Sequence, residues 1–305
     1  MDSYLGELAG LATSVCWSFT SVFFTLSGRQ VGSAVVNRVR LLMAVVMVSL
    51  LHWAMEGSLL PVDAGLERWG WMGLSGLIGF VIGDAMLFQA FVMIGPRLSM
   101  LLMALAPVMG ALLAWPLLGE HLTGPEIAGI LLAVSGVAWV VIDRSNSGKG
   151  GLPAMPPRFY VLGVLLGLGG ALGQAGGLIA SKVGLEGGYP ALSGNLMRLS
   201  VSTVAIWAIT VATGRARSSF QALRDHPRVI AILIGGALFG PFIGVWLSLV
   251  AVQNAPVGIA STLMSFPPII LLPVGHFVFK ERITWRAVAG TALAVAGTAV
   301  IFLST

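Results

Sequence analysis

One carboxylate stands in the middle of a long apolar segment. Asp84 follows Trp69 by fifteen residues and precedes Gly95 by eleven. A helix through this segment places Asp84 about 22 and 16 Å from the two ends, at a rise of roughly 1.5 Å per residue. An ionised group at that depth of a bilayer is costly and is therefore a functional candidate. Two roles fit it: Asp84 binds a substrate amine or takes up a proton, or it pairs with a neighbouring arginine.

Two arginines are placed alike in two other apolar segments. Arg40 and Arg198 each follow an asparagine, Asn37 and Asn195, by three residues. This spacing puts each pair on one helix face. A symmetric pair of guanidinium groups could clamp an anionic substrate from both sides. The alternative, which we favour, is that both arginines bind carbonyl groups at helix C-termini and hold the scaffold, because a repeated group indicates a role in a repeated structure.

Polar and aromatic side chains in four of the apolar segments are the remaining binding candidates. They are Trp17, Ser21, Phe88, Gln89, Gln174, Trp246 and Ser248. An apolar pocket with a few directed polar groups is typical of a site for a small metabolite. The alternative for each single residue is that its hydroxyl bonds the backbone of its own helix, or that its ring faces lipid.

The composition shows what kind of element carries these residues. Of 305 residues, 57% are hydrophobic and 10% are charged, and the mean hydropathy is +0.94. A soluble domain carries about 25% charged residues, so a water-soluble globule is excluded. Disordered chains are poor in apolar residues, so disorder is excluded too.

The net charge of +5 does not indicate nucleic-acid binding, because the basic residues lie in short gaps between apolar runs. The single cysteine, Cys16, excludes an internal disulfide.

Ten apolar segments are long enough to cross a membrane, which takes about 20 residues each. They predict an all-α integral membrane protein. Their approximate limits are 5–27, 33–55, 69–94, 96–118, 124–143, 159–184, 190–213, 228–253, 257–279 and 285–303.

The two halves of the chain are similar to each other. Residues 106–123 align without gaps to residues 267–284, at an offset of 161, and nearer the start of each half the offset is 158. Arg40 then aligns with Arg198, and Asp84 aligns with Val245. Each half has five spans, an odd number, so the halves enter the membrane in opposite orientations. We expect two inverted five-helix repeats, 1–143 and 159–305, joined by a linker at 144–158. This architecture is frequent among secondary transporters.

Basic residues predict the orientation of the chain. Twelve lysines and arginines lie in or beside the loops on one side and two on the other, which is a strong positive-inside signal. The linker 144–158 is therefore expected in the cytoplasm and both termini outside. Glu120 and Glu281, at the ends of the fourth and ninth spans, are interpreted mainly as surface or capping groups.

Several short motifs occur in order along the two halves. They are Trp17-Ser-Phe, the arginines at 40 and 198, the ALAP and SFPP segments that end at Pro107 and Pro268, Gly-Glu-x-Leu-Thr at 119–123, and its second copy at 280–284. In these motifs the chain resembles the drug/metabolite transporter superfamily, specifically its ten-helix proteins with two EamA-type domains. The resemblance implies that helices 1, 3, 6 and 8 contribute to a central cavity, which would bring together the polar and aromatic candidates named above.

The resemblance also implies a function. We expect a secondary transporter of a small organic metabolite in a bacterial inner membrane, working by alternating access. Amino acids and related compounds are the leading class, with export as the direction. The expected partners are a small-molecule substrate and the lipid bilayer, without nucleic acid, metal or cofactor. A homodimer is compatible, but a monomer is sufficient. The alternative is a membrane-embedded lipid-modifying enzyme or a lipid carrier, for which Glu120, His121 and Glu126 would be the nearest acid–base group; these three also fit a turn.

Overall fold

The protein is built from ten membrane-spanning helices. The structure is a computed structural model that describes residues 4–118, 122–147, 156–254, 257–281 and 283–303, and within these ranges it contains helices and no strand. The spans are α1 Leu5–Val31, α2 Ser33–Glu56, α3 Leu66–Ile94, α4 Pro96–Met103 with Ala106–Leu118, α5 Gly124–Ser147, α6 Pro157–Gly184, α7 Ala191–Ala212, α8 Pro227–Ala237 with Leu238–Gly244 and Val245–Asn254, α9 Val257–Met264 with Pro267–Phe277, and α10 Trp285–Leu303. The all-α, ten-span prediction is confirmed.

Two features of the structure were not in the sequence prediction. Helix α5 continues to Ser147, so the first four residues assigned to the linker are helical. The first glycine after Asp143 is Gly148, and glycine is a much poorer helix former than the Arg, Ser and Asn before it. A short surface helix, Ala216–Asp225, was also not predicted. It is attached to the start of α2, because Arg38 Nη1 donates a hydrogen bond to Ser219 Oγ at 2.7 Å.

Helices α3 and α8 each contain a π-helical stretch at the equivalent position. The stretches are Leu77–Gly83 and Leu238–Gly244, and their offset is the 161 residues of the repeat. A π turn bonds i to i+5, and such turns are frequent at functional sites. In α3 the carbonyl of Phe80 accepts a hydrogen bond from Asn37 Nδ2 on α2, at 3.0 Å. The π stretch is thereby tied to the neighbouring span.

Helices α4 and α9 are interrupted, again at equivalent positions. The interruptions are at 104–105 and 265–266. Each is followed by proline, Pro107 in α4 and Pro267-Pro268 in α9. Proline has no N–H to donate, and it is tolerated in the first turn of a helix. The chain therefore ends one short helix and begins another within the membrane.

The packing of the spans follows the repeat. Helix α3 packs on α6, and the equivalent helix α8 packs on α1; α2 packs on α7, and α5 packs on α10. The α5–α10 contact is a close approach of two backbones. A Cβ on Gly297 would lie 2.3 Å from the amide nitrogen of Ala133, and a Cβ on Gly136 would lie 2.6 Å from the carbonyl oxygen of Gly290. Small residues at such positions are the usual device for tight helix packing in membranes.

The interpretation of Glu281 as a surface or capping group is wrong. Its side chain is 2% exposed, and its Oε2 lies 3.0 Å from Nε of Arg97 at the start of α4. Lys280 adopts a left-handed backbone with φ of 54°, and the amide of Glu281 then donates to the carbonyl of Gly275 at 3.0 Å. This turn directs the carboxylate inward, where it joins the two repeats. Glu120, interpreted in the same way, lies outside the described residues.

Candidate functional site

A cavity of about 440 Å³ lies between the two repeats. Its walls come from α1, α2, α3 and α4 of the first repeat and from α6, α8, α9 and α10 of the second. Both interrupted helices contribute their break points, with Ala104 in α4 and Ser265 in α9. Most of the lining is aromatic, methionine and aliphatic. The polar lining residues are Thr20, Ser21, Arg40, Asp84, Gln174, Ser248 and Ser265.

The structure brings seven of the ten predicted site residues to this cavity. They are Trp17, Ser21, Arg40, Asp84, Phe88, Gln174 and Ser248. It does not bring Gln89 or Trp246 there. Gln89 Oε1 accepts a hydrogen bond from Ser33 Oγ at 2.6 Å, and Trp246 is 49% exposed on the outer surface. The tenth, Arg198, lies directly behind the wall.

Asp84 and Arg40 form an ion pair at the cavity wall. Arg40 Nη2 donates to Asp84 Oδ2, and the two side chains are 5% and 14% exposed for Arg40 and Asp84. The pairing with an arginine, one of the two roles considered for Asp84, is therefore present. Because a carboxylate has two oxygens and about four acceptor positions, this pairing leaves Asp84 able to accept further bonds from the cavity side.

A chain of hydrogen bonds holds this ion pair in place. Asn37 Nδ2 donates to the carbonyl of Phe80, and Asn37 Oδ1 accepts from Arg40 Nε at 3.1 Å. Arg40 then donates to Asp84. The three-residue spacing of Asn37 and Arg40 does place them on one helix face, as predicted. Their partners, however, are a π-helical carbonyl and a carboxylate rather than a helix C-terminus.

Arg198 occupies a different environment from its repeat partner Arg40. In its half the position of Asp84 is taken by Val245. The Arg198 guanidinium lies over the ring of Phe80, with 4.5 Å from Cζ to the ring centroid, and Arg40 Cζ is 5.6 Å from the same centroid. The Nε and Nη2 atoms of Arg198 are buried and have no hydrogen-bond partner within the described residues.

Sequence reasoning missed the central aromatic residue of the site. Phe80 lines the cavity and lies between the two arginines. It precedes Asp84 by four residues, a spacing typical of one helix face, and this was the available signal. The methionines Met100, Met103 and Met264 were also missed, because a methionine in an apolar span carries no mark that separates a cavity wall from a lipid-facing surface.

Comparisons with known proteins decide the family. The model of the EamA-like transporter family matches residues 4–142 and again 161–303. The chain belongs to the EamA-like transporter family. The resemblance to a two-domain EamA protein is thereby confirmed, and family membership indicates a multi-pass membrane transporter rather than an enzyme. The two matched segments are the two five-helix repeats, so the cavity of this EamA-like protein lies between its two domains.

Two similar proteins are known by name or by structure. The chain is 33% identical over 122 residues to the "Probable terminal-alkyne amino-acid exporter" of Streptantibioticus cattleyicolor; the match covers 40% of this chain and 38% of that relative. The chain thus matches less than half of this curated relative's length. The fold is similar to that of a protein of known crystal structure, with a TM-score of 0.57 and 20% identity over 98% of this chain and 96% of that one.

Proposed function

We propose that this EamA-like protein is a secondary transporter that moves a small organic metabolite, an amino acid or a related compound, outward across a bacterial inner membrane. The observation that carries the proposal is the cavity between the repeats, with the Arg40–Asp84 ion pair in its wall. A charged pair within the membrane-spanning region is costly, and such groups typically mark a substrate path. The relative from Streptantibioticus cattleyicolor is named as an amino-acid exporter, and this supports the substrate class and the direction of transport.

The size and polarity of the cavity support a small, mostly apolar substrate. Its volume of about 440 Å³ lies in the range of roughly 300–1,000 Å³ typical of small-molecule sites. Ser21 and Ser248 donate their hydroxyl protons to carbonyls of their own helices, at 2.7 and 2.6 Å, so they offer acceptors to the cavity. The Gln174 amide makes no hydrogen bond to the described residues, so it can both donate and accept.

The paired interruptions of α4 and α9 support alternating access. Both lie at the cavity and occupy equivalent positions in the two inverted repeats. A helix without continuous backbone bonding bends there more easily than elsewhere. Rocking of one repeat against the other around a fixed central site is the mechanism expected of this architecture. The cytoplasmic position of the linker 144–158, with both termini outside, belongs to the same proposal.

Counterflow in liposomes tests the proposal. Vesicles that contain the purified protein are preloaded singly with amino acids, N-acyl amino acids, nucleosides, sugars or cationic drugs, and uptake of the matching label is measured. We expect accumulation with an amino acid or a relative of one. Accumulation only with another class would overturn the substrate class. If labelled phospholipid moves across the bilayer and no metabolite shows counterflow, the protein is a lipid carrier and the proposal is overturned.

Asp84→Asn is the first variant for this assay. We expect the counterflow rate to fall about tenfold or more, because the variant leaves the buried Arg40 without its charge partner and removes the carboxylate from the cavity wall. Asp63→Asn, at an exposed loop position, is the matched control and should transport normally. If Asp84→Asn transports at the normal rate with an unchanged pH dependence, Asp84 has no role in transport.

A further inference from the structure

We infer that the substrate carries a carboxylate with no compensating positive charge, and that Arg198 is the residue that binds this carboxylate. The inference rests on the proposed function and names the chemical class of its substrate. It assigns Arg198 a part that its repeat partner Arg40 does not have. Three observations carry it: the balance of charges around Phe80, the atoms of Arg198 that lack partners among the described residues, and the position of Arg198 next to the cavity wall.

The charges around Phe80 do not balance. Two guanidinium groups, those of Arg40 and Arg198, lie over this ring. One carboxylate, Asp84, lies beside them and is bonded to Arg40. An arginine stays protonated under all ordinary conditions, so this cluster has one positive charge in excess. Val245, in place of a second aspartate, is the origin of the excess.

The unpartnered atoms of Arg198 form one edge of the guanidinium. They are Nε and Nη2, whose N–H bonds point in parallel on the same side of the group. This edge is the one that binds both oxygens of a carboxylate at once. A buried donor without a partner costs more than a hydrogen bond gains. An incoming carboxylate therefore removes that cost and the excess charge together, which a neutral or cationic substrate cannot do.

Arg198 lies next to residues of the cavity wall. Phe80 and Gln174 line the cavity, and the ring of Phe80 lies against the Arg198 guanidinium. A Cβ on Gly79 would lie 3.5 Å from Arg198 Nη2 and 3.9 Å from Gln174 Oε1. The missing side chain of Gly79 thus leaves the guanidinium and the amide facing the same space. A substrate whose apolar part rests on the aromatic lining would reach Arg198 when the ring of Phe80 moves aside.

The same geometry argues against a free amino group as the main recognition element. Asp84 is the acidic residue of the cavity wall, and Arg40 already neutralises it. A substrate ammonium would add positive charge to a cluster that is positive before it arrives. The expected order of affinity is therefore an N-acylated amino acid first, the free amino acid second and the corresponding amine last.

Binding of matched compounds tests the inference without any need for transport. The purified protein is titrated calorimetrically with three sets of compounds, which are derived from alanine, leucine and phenylalanine. Each set contains the N-acetyl amino acid, the free amino acid and the amine that results from its decarboxylation. We expect at least one N-acetyl amino acid to bind about tenfold or more tightly than its amine, as one or two charge-assisted hydrogen bonds require. An amine that binds as tightly as its acid, or no binding by any acid, would overturn the inference.

Variants of Arg198 link this preference to one side chain. Arg198→Gln should weaken binding of the acid about tenfold or more and leave the amine unaffected. Arg198→Lys keeps the positive charge but cannot form the bidentate hydrogen bonds of a guanidinium. This variant should therefore lose an intermediate amount of affinity for the acid. Arg217→Gln, at an exposed position of the surface helix, should bind like the unaltered protein.

The melting temperature separates binding from a structural role. Without ligand, Arg198→Gln should melt at or above the temperature of the unaltered protein, because the variant removes an unpaired buried charge. A lower melting temperature together with unchanged acid affinity would show that Arg198 holds the scaffold instead.

The results also distinguish this inference from the proposed function. Acid binding without counterflow would reject the transporter proposal alone. Counterflow of an amine that does not depend on Arg198 would reject this inference alone.

Discussion

Two buried ion pairs connect helices of this protein, one within the first repeat and one between the repeats. Asp84 pairs with Arg40 within the first repeat, whereas Glu281 pairs with Arg97 across the two repeats. Removing one partner of such a pair leaves a charge buried without compensation, and this costs more than the intact pair contributes. The consequences of single and double substitutions therefore differ in a predictable way.

Glu281→Gln should lower the free energy of unfolding by about 3 kcal/mol, because it removes the negative charge of a buried ion pair and keeps the positive one. The measurement is unfolding of the purified protein in mixed detergent micelles. Replacing both residues, Arg97→Met with Glu281→Met, should cost less than the single change, since both charges of the pair are then removed. Arg286→Gln is the control: Arg286 is 58% exposed in its pair with Asp143, and that carboxylate also accepts a hydrogen bond from Thr284 Oγ1 at 2.9 Å, so the loss of Arg286 should cost less than about 1 kcal/mol. Equal costs for Glu281→Gln and Arg286→Gln would contradict the argument.

At the scale of elements, the position of the site depends on how closely α3 and α6 approach. These helices carry Asp84 and Gln174, and they meet at two glycines. A Cβ on Gly173 would lie 2.6 Å from the Cα of Gly83, which is backbone and cannot move aside as a side chain does. The close approach is therefore a requirement of the site as well as of the packing.

Gly173→Ala should separate α3 from α6, lower the melting temperature and reduce counterflow about tenfold or more, because displacements of about 1 Å at a binding site have effects of that order. Gly176→Ala is the matched control on the same helix. A Cβ there meets only Ile78 Cγ2, at 3.4 Å, so this variant should be as stable as the unaltered protein and transport normally. Equal losses in both variants would contradict the argument, because alanine is the better helix former and the contact with Gly83 would then not decide the outcome.

The sequence predicted the membrane-spanning helices well, but it did not predict the local departures from regular α-helix within and between them. Ten spans follow from apolar length alone, and seven of ten site residues reach the cavity because side chains on one helix face keep their spacing. Trp246 lies two residues from Ser248, and two residues turn a helix by about 200°, so the two could not both face inward. The π stretches and the turn at Lys280 were not predictable, because each depends on partners that are distant in sequence, such as Asn37 for Phe80.

At the scale of the whole molecule, the two repeats share a backbone plan but differ in charge. Arg40 is bonded to a carboxylate, whereas Nε and Nη2 of Arg198 have no hydrogen-bond partner among the described residues, and the residue equivalent to Arg97 is Gly258. The architecture is therefore nearly symmetric while its electrostatics are not.

The orientation in the membrane is testable with single cysteines in a Cys16→Ser background. Asp63→Cys, between α2 and α3, should react with a membrane-impermeant maleimide in intact cells. Arg217→Cys, on the surface helix, should react only after the cells are permeabilised, because the basic residues around it favour the cytoplasm. Both positions are exposed, so access to solvent is not limiting. The reverse pattern would place the linker 144–158 outside.

The two π-helical stretches also bear on the history of the chain. A π turn closes over one residue more than an α turn, so each stretch accommodates a single inserted residue. The stretches lie at 77–83 and 238–244, the same place in both halves. One insertion in a five-helix ancestor accounts for both, whereas two separate insertions would have to coincide. The shared position therefore favours a widened turn that existed before the two halves were joined in one chain.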